Sequence, residues 1–108
     1  MNKPNKNERE EINMAGQYCI VRGDRSGVFA GIIKERNGRE VVMTDVRCTW
    51  YWAGAASTLQ MANDGVKDIA NSKFTVFVPE LTVLDAIVII PCSPEAEKVI
   101  REVPIWKR

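Results

Sequence analysis

The chain contains no histidine among its 108 residues. It therefore lacks the side chain most often used as a general base near neutral pH and most often used to hold a metal. Cysteine is scarce as well: Cys19, Cys48 and Cys92 are odd in number and widely spaced, which suits neither a disulfide framework nor a zinc site. The carboxylates Asp24, Asp45, Asp64 and Glu80 form no D-x-D or E-x-x-H pairing of the kind that marks metal or glycosidase chemistry. A reactive thiolate at Cys48, beside Arg47, would have no base to accompany it, and a free cysteine is usually a small buried hydrophobe. These absences point to a binding protein without a cofactor rather than an enzyme.

Two further absences bear on partners. No apolar run approaches the ~20 residues of a membrane span, the longest being Ala86 to Ile90. Nor is there a charge excess: 15 basic against 14 acidic residues leave a net charge of +1, so bulk binding to duplex nucleic acid is disfavoured. The N-terminus shows no charged-then-apolar signal pattern, which predicts a cytoplasmic protein. With 45% hydrophobic and 27% charged residues, the composition is that of one globular domain with a modest core.

What the sequence does have is a concentration of large side chains between Asp45 and Gly65, DVRCTWYWAGAASTLQMANDG. Strand alternation would put Val42, Thr44, Val46, Cys48, Trp50 and Trp52 on one face and Met43, Asp45, Arg47, Thr49 and Tyr51 on the other. A helix from about Ala55 to Asn63, ended by Gly65 as an αL cap, should follow. Upstream, residues 1–16 are polar and charged, the composition of a disordered tail, and 17–108 form the domain. Strands are expected at Gln17–Arg22 and Val28–Arg36, then from Arg39 after the Asn37-Gly38 hairpin signal. Downstream, Lys73 to Val78 alternates and Pro79 should end it. Leu81 to Ile90 forms one bent strand or two. Ser93-Pro94 opens a helix with Ala96, Val99, Ile100 and Val103 on one stripe, after which Ile105-Trp106 tucks onto the core. The predicted architecture is α+β: a small antiparallel sheet or partial barrel of about five strands with two short helices.

Two segments are candidates for ligand contact. RGDRSGVFAG, from Arg22 to Gly31, has glycines that let backbone amides approach an anion, with Arg25 and Ser26 supplying charge and a hydroxyl; a plain hairpin turn is the competing explanation. The second candidate is Arg47 with Trp50, Tyr51 and Trp52, since rings stack on bases and a guanidinium grips phosphate through two hydrogen bonds. In the competing explanation both tryptophans are core and Arg47 is a surface charge.

The run Arg47-x-x-Trp50-Tyr51-Trp52-x-Gly54-Ala55-Ala56 resembles a family of small bacteriophage proteins of unknown function. Gly27-Val28-Phe29-Ala30-Gly31, Gly65-Val66-Lys67, Ile89-Ile90-Pro91-Cys92 and Val103-Pro104-x-Trp106-Lys107 carry the same resemblance. Cys48 departs from it, standing where a second arginine is expected. The resemblance implies a phage protein acting in the host bacterial cytoplasm, similar in design to anti-defence sponges that sequester cyclic nucleotide signals or cyclic ADP-ribose isomers. The expected ligand contacts are Arg22, Arg25, Arg47 and Lys73 for phosphate, Trp50, Tyr51 or Trp52 for stacking on a purine, and Ser26, Ser57 and Thr58 as hydrogen-bond donors. A homo-oligomer would enclose such a ligand better than one small domain. A small barrel binding single-stranded nucleic acid and a protein-binding accessory factor are the alternatives.

Overall fold

The computed structural model describes residues 14–106. The first thirteen residues of the expected tail lie outside that range. At its near end the chain is already tied down: the Gly16 amide donates to the Ile33 carbonyl at 2.7 Å, and Met14 packs against buried core residues.

Five strands form one antiparallel sheet: β1 (Tyr18–Gly23), β2 (Val28–Asn37), β3 (Glu40–Cys48), β4 (Val78–Val83) and β5 (Ala86–Pro91). Their spatial order is β4-β3-β2-β1-β5. The first three strands are the expected meander, with Gly38 at φ 63° in the hairpin that Asn37-Gly38 announces. The sheet is not closed, because β4 and β5 are its two edges and share no ladder. It is strongly curled all the same. The Leu84–Asp85 turn carries the chain from one edge to the other, and there the Ala86 amide donates to the Arg39 carbonyl at 3.0 Å. Leu81 to Ile90 is thus two strands.

Curling gives each face of the sheet its own core. Cys19, Val21, Ile33, Val41, Met43, Val46 and Val83 fill the concave side. Tyr18, Ile20, Ala30 and Phe74 on the other side pack under two helices, α1 (Thr58–Asp64) and α2 (Pro94–Glu102). Both helices open on serine caps: the Ser57 hydroxyl accepts the Gln60 amide and the Ser93 hydroxyl accepts the Ala96 amide. Pro94 stands at the first helical position of α2, as expected. Helix α1 starts later than its alanines suggested, because Ala53 to Ser57 is irregular and Gly54 turns with φ 83°. Gly65 ends α1 as expected, though at φ 75°, ψ −151°, which is not the expected αL conformation but a region that is essentially glycine's alone. A Cβ there would stand 2.6 Å from that of Val99 on α2.

Three further expectations fail for physical reasons. Alternation does not run unbroken through β3: Asp45 adopts φ 49° and the β2–β3 register shifts there. The bulge puts Met43 and Val46 on the same side and turns Arg47 toward the helices. Arg101 on α2 grips Asp45 in an ion pair that ties the bulge in place. The strand expected from Lys73 to Val78 is replaced by two isolated bridges, Tyr51 with Lys73 and Phe74 with Ile105. Pro79, expected to end a strand, is the second residue of β4, where an edge position tolerates its missing N–H.

Candidate functional site

The side chains expected to meet one ligand are distributed by the structure over four places. Arg22, Trp52, Ser57 and Thr58 converge, together with Val28, on a cleft of about 340 Å³. Arg22 and Val28 are cross-strand partners at the end of the β1–β2 hairpin, so they share a face with Ile20. The irregular segment before α1 brings Trp52 and the two hydroxyl residues over that face. Trp52 is half-buried and packs against the core under the helices, which gives the indole one held face. Arg22 is exposed at the rim. The cleft thus joins an aromatic wall, a guanidinium and two hydroxyls.

Arg25 and Ser26 do not belong to this cleft. They line a separate, larger one of about 540 Å³ with Phe29, Leu81, Leu84 and Asp85. The loop does cradle an anion, but the anion is internal. The Arg25 and Ser26 amides donate to Asp85 Oδ2 at 2.9 and 3.1 Å, and the Ser26 hydroxyl donates to Oδ1 at 2.6 Å. These bonds, the hydroxyl's first, hold the Asp85 carboxyl below its ordinary pKa. The backbone amides and the Ser26 hydroxyl expected to take a ligand phosphate are instead bonded to a carboxylate from the β4–β5 turn.

Arg47 is the sharpest correction. It is 1% exposed, neither a surface charge nor a hand for phosphate. Nε donates to the Thr75 carbonyl at 3.0 Å, and Nη1 donates to the carbonyls of Ile100 and Val103 at 3.1 and 2.7 Å. The last two are among the unpaired carbonyls at the C-terminal end of α2, where a cation also meets the negative end of the helix dipole. The guanidinium carbon lies 4.4 Å from the ring centre of Phe77 and 5.3 Å from that of Phe74. Burial pulls the Arg47 pKa down, yet a guanidinium stays protonated at neutral pH. Its neighbour Cys48 is half-buried, and burial raises its thiol pKa, away from reactivity.

Trp50, Tyr51 and Lys73 occupy a fourth place on the surface. Tyr51 and Lys73 exchange backbone hydrogen bonds of 3.1 and 2.7 Å, and the Trp50 ring stacks on Trp106 with centroids 5.2 Å apart and planes 2° from parallel. Trp106, expected on the core, is exposed instead. The sequence offers no signal for this, because the helix before it ends at Glu102 and nothing local says where the chain then goes.

A family profile described as Domain of unknown function (DUF6948) matches residues 16–100. No curated protein and no solved structure matches the chain. The chain belongs to the DUF6948 family, whose description states no function.

Proposed function

We propose that this DUF6948 domain binds a small anionic ligand of the cyclic nucleotide type in the cleft formed by Arg22, Trp52, Ser57 and Thr58, and holds it without altering it. In this reading the indole of Trp52 stacks on a purine, Arg22 takes a phosphate through paired charge-assisted hydrogen bonds, and the Ser57 and Thr58 hydroxyls donate to phosphate or ribose. The observation that carries the proposal is the convergence of those three chemistries, drawn from β1 and from residues 52–58, on one concavity. Arg22 is the one titratable group among the five lining residues, which supports retention over turnover. The role that follows, given the resemblance to small phage proteins, is sequestration of a host immune signal in the bacterial cytoplasm.

Size shapes the ligand class. Ligand pockets run from about 300 to 1,000 Å³, and about 340 Å³ lies at the low end, enough for one nucleotide unit. A cyclic dinucleotide would overfill it unless a second copy of the chain completed the enclosure, which is the reason to expect a homo-oligomer with the larger ligands. The test is thermal stability against a panel of cyclic mono-, di- and trinucleotides and cyclic ADP-ribose isomers, with the recovered ligand checked for chemical change. A binder present at 100 times its dissociation constant adds about 2.7 kcal/mol. A shift with intact ligand supports the reading. The absence of any shift refutes it, and recovery of altered ligand replaces sequestration with catalysis.

A further inference from the structure

The Trp50–Trp106 pair lies outside the cleft and needs its own explanation. Both indoles remain open to solvent, Trp50 at 59% and Trp106 at 37%, although tryptophan has the most to gain from burial. They are held parallel, and the Lys73 ammonium sits 5.9 Å from one ring centre and 5.5 Å from the other. The main chain beneath them is held by hydrogen bonds between neighbouring segments. Lys73 is paired to Tyr51, next to Trp50, and the Trp106 amide donates to the Phe74 carbonyl at 2.9 Å. Two stacked rings and a cation are thus set by three backbone segments bonded to one another, so little ordering cost remains for a ligand.

We infer that this surface is a platform for single-stranded nucleic acid, with a base continuing the Trp50–Trp106 stack and a backbone phosphate on Lys73. The chemistry selects that occupant. A flat aromatic face offers stacking to any unpaired base, whereas in a duplex those faces are covered by neighbouring bases. The polar partner beside the rings is an ammonium, a point charge suited to a phosphate. With a net charge of only +1 for the chain, affinity must come from stacking more than from bulk electrostatics, and salt dependence should be shallow. This inference is independent of the nucleotide cleft.

The test is fluorescence anisotropy of the full-length protein with a fluorescein-labelled oligothymidylate at low salt, read alongside quenching of tryptophan emission. Trp50→Ala and Trp106→Ala should each weaken binding about tenfold or more, the scale of one lost base stack. Trp50→Phe, which keeps a ring, should retain most of it. Lys73→Gln should reduce the slope of log affinity against log salt by about 0.7, the value for one phosphate on a single strand, while Lys98→Gln on the exposed side of α2 leaves it unchanged. Thermal melts of each variant establish that the fold persists. The inference is overturned by a lack of binding at low salt, by binding indifferent to both tryptophans, or by duplex DNA or polyglutamate competing as well as the single strand. Equal competition by polyglutamate would assign the platform to acidic protein segments.

Discussion

Arg47→Ala should unfold much of what holds α2 to the sheet. The substitution strands the buried carbonyls of Ile100 and Val103, at about 1 kcal/mol or more each, and the partly buried carbonyl of Thr75. It also empties the space between Phe74 and Phe77 that the guanidinium fills. Part of this is returned, because a buried charge no longer has to be desolvated. The net loss should be about 2–5 kcal/mol, the range for truncating a large buried side chain. That is a large share of the about 5–15 kcal/mol that stabilises a typical domain. Arg47→Met keeps the bulk and removes the charge, so it strands the same carbonyls without opening a cavity and its cost should be smaller than that of alanine. Arg47→Lys should also destabilise, since one ammonium cannot span acceptors that the planar fork reaches from two nitrogens. Urea denaturation followed by far-ultraviolet circular dichroism measures all three, with midpoints displaced and the slope little changed. An Arg47→Ala protein that unfolds at the wild-type midpoint would refute the structural role. If that protein also lost its response to nucleotides, Arg47 would have to be returned to the ligand.

Gly65→Ala should destabilise by about 1–3 kcal/mol, because the residue adopts a backbone conformation costly for any Cβ and the new methyl would meet Val99 on α2; a thermal melt reads the loss. The Asp85 carboxyl titrates below the ordinary range when folded. Its contribution is therefore fully present above the unfolded pKa and is lost as pH falls through the folded one. Asp85→Asn should flatten the acid side of a stability-against-pH curve, and an unchanged curve would mean that the loop does not depend on this carboxylate.

The parts of the fold written in local chemistry were legible. Asn37-Gly38 makes its hairpin, Ser93-Pro94 opens its helix, and Gly65 closes the helix before it. What was not legible depends on residues far apart in sequence. Nothing around Asp45 announces a bulge; what holds that residue is Arg101, 56 positions away. Once the bulge is there, the parity that would have set Val42 and Val46 on one face no longer applies, and β3 in any case ends at Cys48, before the tryptophans. For Arg47 a faint signal existed: a lone arginine between Val46 and a strand end, with two phenylalanines and a helix terminus needing donors elsewhere in the chain. Of the ten residues expected at the site, four converge on the cleft. The grouping of residue types that suit a nucleotide was readable from sequence, but their sorting into a cleft, an internal anion cradle, a buried cap and a surface stack required the tertiary structure.

The most direct test of the central claim is isothermal titration of the wild type and of Arg22→Ala with whichever cyclic nucleotide stabilises the protein most. Arg22 is exposed, so the variant should melt within a few tenths of a kcal/mol of wild type, as surface substitutions do. The cleft reading predicts that Arg22→Ala, folded and equally stable, loses at least about tenfold in affinity, the 1.5–3 kcal/mol range of a hydrogen bond to a charged group. Wild-type affinity in that variant would contradict it and place the ligand elsewhere on the molecule.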